Sequence, residues 1–300
     1  MRNIIIGLII LVLLGGGVWY FTRDNTVDPN GQMATTTATS TASGREYEVI
    51  GRSVEGREIK AYRFGVGENK LVLVGAIHGG YEWNSALLVY EFIDHFKINP
   101  DEIPAEVELI VIPVANPDGL VAVVGTSSRF AAADAPQFDF ADEVKFSDPV
   151  VAARFNKNGV DLNRNFACEW QAQAVWRDYQ TKAGSAAFSE PESKALRDFL
   201  LAEQPVGVIF YHSASNGVYT SFCGEADPLA GTVSLLSTYA TASGYPRHDD
   251  YPYYEVTGDA ADWLSTQGIP AITVELSTHE SIDWTRNLTG LKAVLSKLTE

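Results

Sequence analysis

Lys70-Leu-Val-Leu-Val-Gly-Ala-Ile-His-Gly-Gly-Tyr-Glu-Trp83 decides how this chain folds. Its first eight residues are a short, almost unbroken apolar run, the pattern of a strand covered on both faces. The run then stops at a histidine, two glycines that free the backbone for a tight turn, and a glutamate. Working outward, three more runs have the same character: Glu106-Val-Glu-Leu-Ile-Val-Ile-Pro-Val, Val206-Gly-Val-Ile-Phe-Tyr and Ala271-Ile-Thr-Val-Glu-Leu. Between them, Ser85 to Phe96 repeats apolar residues at helical spacing. Ser189-Glu-Pro-Glu192 opens another helix, with Ser189 and Glu192 at capping-box spacing and Pro191 in the first turn. Leu229 to Ser243 and Gly290 to Leu298 also read as helical. Strands alternating with helices predict an α/β fold, a mixed, largely parallel central sheet with helices on both faces. Residues 125 to 153 show little periodicity, as a functional loop would.

In such a sheet ligands bind beyond the carboxyl ends of the strands. His78, Asn116, His212 and Glu275 all stand at or just past the end of an apolar run. Two histidines and a carboxylate leave one position open on a tetrahedral zinc ion, so His78, Glu82 and His212 form a candidate site for one zinc ion. Metal-bound histidines usually give their second ring nitrogen to a carboxylate or carbonyl, and Asp161 is the best partner for His78. Glu275 is left over to act as a base. Asn163 and Arg164, within Gly159-Val-Asp-Leu-Asn-Arg-Asn-Phe166, suit the gripping of a carboxylate, because a guanidinium can donate two parallel hydrogen bonds. His95 and His248 are read as packed or surface histidines, and His279, four residues past Glu275, as near enough to reach the cleft rim without being a ligand.

Those residues, in that order, resemble the zinc carboxypeptidase family, the carboxypeptidase A-like metallopeptidases, over roughly Tyr47 to the C-terminus. Gly51-Arg-Ser-Val-Glu-Gly-Arg-Glu-Ile59 is similar to the family's opening strand pair, and Asn116-Pro-Asp-Gly to one of its turns. The resemblance implies that His78, Glu82 and His212 bind zinc and that Glu275 is the general base and then the proton donor. It implies that Arg154 polarises the scissile carbonyl, that Asn163 and Arg164 hold the terminal carboxylate, and that Tyr254 closes over it. By the same resemblance Ala261 takes the base of the side-chain pocket. Asp259, two residues earlier, either faces a basic side chain (lysine, arginine or meso-diaminopimelate) or merely caps its loop. Three residues separate His78 from Glu82, where the family has two, and the arginine usual between the ligands in the animal enzymes is missing.

The net charge of −16 and pI near 4.7 argue against nucleic acid, which needs a basic footprint. Residues 4 to 21 carry no charge and approach the minimum length of a membrane span. We read residues 1–24 as an N-terminal anchor, with a cleavable signal as the competing reading. Residues 25–44, rich in Thr, Ser and Ala, are expected to be a flexible tether rather than a pro-domain, and 45–300 the catalytic domain. The catalytic domain would then lie outside the cytoplasm, as a monomer, membrane-anchored or secreted. Cys168 and Cys223 are an even pair, which in an exported protein reads as a disulfide, with two separate buried thiols as the alternative. The expected activity is removal of C-terminal residues from peptides. A cell-wall peptide amidase of the same fold is the main alternative. A non-catalytic binding module and a hydrolase of acylated amino acids are the others.

Overall fold

The computed structural model describes residues 46–136, 145 and 147–300. The anchor and tether expected over residues 1–44 lie outside the described residues, as does much of the loop expected at 125–153. Among the described residues no helix is long and apolar enough to cross a membrane.

One sheet is built from eight strands: β1 (Glu48–Arg52), β2 (Glu58–Gly65), β3 (Asn69–Val74), β4 (Val107–Ile112), β7 (Gly207–Ser213), β8 (Gly217–Tyr219), β9 (Arg247–His248) and β10 (Ala271–Leu276). Their order across it is β1-β2-β4-β3-β7-β10-β8-β9. The four central strands, β4, β3, β7 and β10, are mutually parallel. They are the four apolar runs of the sequence. β1, β2 and β8 join in antiparallel pairs, so the sheet is mixed.

Strand side chains alternate between faces. Leu71, Leu73, Ile209, Tyr211, Ile272 and Val274 pack in one core with α1 (Trp83–Ile98), α5 (Ala230–Ser243) and α7 (Trp284–Lys297). Val72, Val74, Val208, Phe210 and Ala271 pack in a second core with α4 (Pro191–Glu203) and α6 (Ala260–Thr266). Both faces are therefore covered, and the runs are largely apolar on both faces for that reason. Two short helices, α2 (Pro117–Val124) and α3 (Pro149–Ala152), and a separate hairpin of β5 (Gln173–Trp176) and β6 (Tyr179–Lys182) complete the described elements.

Three local expectations change. The Ser189–Glu192 capping box does not form, because α4 starts one residue later, with Glu190 at its N-cap. Ser189 Oγ donates to Glu190, while Glu192 accepts from the backbone of Val54 and from Asn156. The last helix begins at Trp284, not Gly290. The weakly periodic 125–153 stretch contains α3, started by Asp148, whose side chain accepts from Val150 N.

Candidate active site

The site is assembled at the ends of β3, β7 and β10. His78 lies four residues past β3. Gly79–Glu82 is a single 3-10 turn, so Glu82 is carried back toward His78 before α1 begins at Trp83. The turn presses against α2: a Cβ on Gly79 would lie 2.8 Å from Gly119 Cα, and one on Gly80 2.7 Å from Gly119 O. His212 is on β7, and the parallel register sets it beside Glu275 on β10, so both side chains leave the same face.

His78, Glu82 and His212 are all buried, and each offers a ligand atom within 4.8 Å of the other two. His78 Nε2 faces Glu82 Oε1 at 4.0 Å, and His212 Nδ1 faces Glu82 Oε2 at 3.1 Å. Glu82 Oε2 makes no well-formed hydrogen bond despite its burial. A buried carboxylate oxygen normally has a partner. Two imidazole nitrogens and this oxygen are the donor set that a zinc ion takes, so the residues fit the metal. Burial and the nearby Arg154 push the His78 imidazole well below its ordinary pKa, which keeps it neutral and able to donate a lone pair. His212 is raised instead, because the Glu82 carboxylate outweighs the effect of burial. Asp161 Oδ1 lies 3.4 Å from His78 Nδ1, the nitrogen turned away from Glu82.

Asp161 also holds Arg154, whose Nε donates to Oδ2 at 2.9 Å. Arg154 sits 3.6 Å from Glu82 Oε1, with its guanidinium 4.5 Å from the centre of the Trp176 ring. Glu275 accepts from Ser215 N at 3.1 Å. Burial and the Glu82 charge push the Glu275 carboxyl up to about 7, the range of a group that can both take and return a proton.

These residues, Asp161 apart, line one cleft of about 660 Å³, together with Asn163, Arg164, Tyr254, Asp259 and Asp262. Arg164 is buried and is held by two carbonyls, Nε donating to Val175 O at 3.0 Å and Nη1 to Asn163 O at 2.7 Å. Tyr254 stands over it, its ring centre 5.9 Å from the guanidinium. The Asn163 side chain is engaged elsewhere. Its Nδ2 donates to Asp259 Oδ2 at 2.6 Å, and its Oδ1 accepts from Ala260 N at 3.1 Å. One Nδ2 hydrogen is left for a ligand. Asn163 thus mainly positions the segment that carries Arg164.

The structure corrects the expected pocket base. Ala261 is not among the residues lining the cleft; it packs into the second core. Asp259 caps α6, its Oδ1 accepting from Ala261 N at 2.7 Å and Asp262 N at 3.0 Å. With Oδ2 taken by Asn163, the capping alternative is the one realised. Asp262 lines the cleft beside Asp259. Its one side-chain hydrogen bond among the described residues is Oδ1 accepting from Phe222 N at 3.1 Å. Burial and the neighbouring Asp259 raise its pKa above the ordinary aspartate value. A helix N-terminus reads as a spacing in sequence, and spacing alone does not say which residue of the first turn points outward.

Further residues line the cleft, and of these only His279 was expected near its rim. Tyr81 stands between the two ligands of the first turn and packs edge-on to both Trp176 and His279. His279 is a cleft residue with its Nδ1 3.1 Å from Ser213 Oγ, and burial lowers its pKa to about 4. Trp176, Arg177 and Asp178 come from the β5–β6 hairpin, where β5 alternates in burial although its sequence, Gln-Ala-Val-Trp, does not alternate. His248 stacks on Tyr219, and His95 pairs with Glu102 on the surface. Cys168 and Cys223 form a disulfide.

The site brings a candidate metal triad, a glutamate and an arginine into one cleft. A family model described as zinc carboxypeptidase matches residues 32–290, and the chain belongs to that family. The chain is 24% identical over 248 residues to the gamma-D-glutamyl-L-diamino acid endopeptidase 1 of Lysinibacillus sphaericus, 76% of this chain and 60% of that protein. It is 28% identical over 255 residues to the zinc carboxypeptidase of Simulium vittatum, covering 77% of this chain and 78% of that one. The crystal structure of the murein-tripeptide amidase of Escherichia coli O157 superposes with a TM-score of 0.55 at 22% identity, over 87% of this chain and 94% of that one. The chain spans 60% or less of the length of the first curated relatives it matches.

Proposed function

We propose that this chain is a zinc-dependent exopeptidase that hydrolyses the amide bond to a C-terminal residue bearing a free carboxylate, with a cationic side chain preferred. Arg164 carries this reading. A buried guanidinium is costly without a counter-charge, and Arg164 has no carboxylate within ion-pair distance among the described residues. A substrate carboxylate at the cleft wall would complete it. Asp262, farther along the same cleft, supports a cationic side chain on the released residue.

Bound at His78, Glu82 and His212, zinc would supply an acidic water and a Lewis acid. Glu275 takes the proton of the attacking water and returns it to the leaving amine. Arg154, fixed by Asp161, donates to the oxygen on which negative charge develops. Tyr254 closes over the Arg164-bound carboxylate and excludes solvent.

The reading covers both an ordinary α-peptide bond and a γ-D-glutamyl bond, since cleavage of either releases a residue with a free carboxylate. The γ-linked substrate is supported by the similarity to the Lysinibacillus endopeptidase. We place the reaction outside the cytoplasm, a reading that the disulfide supports. The test is mass spectrometry of a peptide mixture and a cell-wall tripeptide after incubation with the zinc-loaded chain. Loss of single C-terminal residues, abolished by chelator and by C-terminal amidation, is expected. Cleavage of C-terminally amidated peptides at the same rate would refute it.

A further inference from the structure

The β5–β6 hairpin is closed by a two-residue turn, Arg177-Asp178, between the paired residues Trp176 and Tyr179. Arg177 adopts φ 54°, the left-handed region. Glycine is the residue suited to that backbone, and a non-glycine residue there costs on the order of 1 kcal/mol. An arginine at such a position is explained if its side chain is used. That side chain lines the catalytic cleft. Its guanidinium lies 5.7 Å from the centre of the Trp176 ring, the same ring that supports Arg154. Among the described residues it forms no ion pair, in a chain of net charge −16 where carboxylates are plentiful.

Its position in the cleft is marked by its neighbours: the Trp176 ring beside it packs on Tyr81, and Tyr81 on His279. The same wall also holds Arg154. The C-terminal carboxylate and side chain of a substrate go to Arg164, Tyr254 and Asp262. Arg154 meets the scissile carbonyl between them. The Tyr81–His279–Arg177 wall is then left for the residue on the N-terminal side of the scissile bond.

We infer that Arg177 is a specificity-determining residue that binds a carboxylate carried by the substrate residue just before the scissile bond. A γ-D-glutamyl residue presents such a group, its free α-carboxylate; an α-linked glutamate presents one on its side chain. The inference rests on the exopeptidase reading of the cleft and adds the chemistry of the substrate's other half.

Four peptides test it: Ala-γ-D-Glu-Lys, its D-isoglutamine counterpart in which that carboxylate is a carboxamide, acetyl-Glu-Lys and acetyl-Gln-Lys. The ratio of kcat/KM for carboxylate over carboxamide is measured within each pair on the zinc-loaded full chain. We expect at least about a tenfold ratio in one pair, the scale of a charge-assisted hydrogen bond. In Arg177→Gly, which suits the backbone of the turn, the ratio falls to about one; in Arg177→Lys it is partly kept. Calorimetric binding of the same peptides to Glu275→Gln reads the preference where turnover is absent. A ratio near one in the wild type in both turnover and binding, or a ratio that survives in Arg177→Gly, overturns the inference. Failure to cleave either γ-linked peptide would sink the cell-wall reading alone, and the acetylated pair would still decide on Arg177.

Discussion

Glu275 and Glu82 are both buried glutamates, yet they differ in what they can do. Glu82 is committed between two histidines, whereas Glu275 has one backbone donor and a pKa near 7. Glu275→Gln should keep its metal, measured by metal analysis, and lose about 10³-fold in kcat, the scale of general-base catalysis. Asp262 and Asp259 differ in the same way. Asp262→Asn should cut the preference for C-terminal Lys over Leu by about tenfold in kcat/KM, the loss of one charge-assisted contact. Asp259→Ala should instead lower stability by about 1 kcal/mol, the loss of a helix cap, and reduce both substrates alike. The metal-ligand candidates were legible because each polar residue interrupts an apolar run. The exchange of roles between Asp259 and Asp262 was not, since it depends on which way a side chain leaves the first turn of α6.

The β7–β10 pairing brings His212 and Glu275 together, and the segment between β10 and α7 locks that pairing. Asp283 folds back so that its carboxylate accepts from Ser277 N, Ser277 Oγ, Ser281 Oγ and Tyr245 OH, all within 2.8 Å. Burial alone would raise its pKa, but the donors from Ser281, Tyr245 and Ser277 outweigh it and hold the carboxyl below its usual value. A lowered folded-state pKa stabilises above the unfolded pKa and is lost as pH falls through the folded one. Asp283→Asn, which also tolerates the observed left-handed backbone (φ 44°), should therefore be less stable than wild type at pH 7. The gap should close as the pH drops below the carboxylate range, read as urea midpoints at several pH values. The first turns of α7, Trp284-Thr-Arg-Asn-Leu-Thr289, are mostly polar, which is why the sequence pattern set the start of the final helix too late.

Across the whole molecule, the four central strands were legible because a doubly covered sheet demands apolar residues on both faces. The hairpin was not: its strands are four residues each and only half buried. The Cys168–Cys223 disulfide closes a separation of 55 residues, worth up to about 4 kcal/mol in the chain-entropy model. Replacing both cysteines with alanine should lower the melting temperature by about 10 °C by calorimetry, with less loss if the unfolded chain retains structure.

Gly258 has φ 69°, and a Cβ there would lie 2.2 Å from Arg164 O. Its amide donates to Cys168 O and its carbonyl accepts from Phe166 N, while Asn163 reaches across to Asp259 and Ala260. The stretch that grips the substrate's end and the stretch that judges its side chain are thus two halves of one woven seam. Neither can be transplanted alone. A relative's selectivity would have to be borrowed as both strands of that seam at once, and a lineage drifting toward a new substrate would have to change them in step.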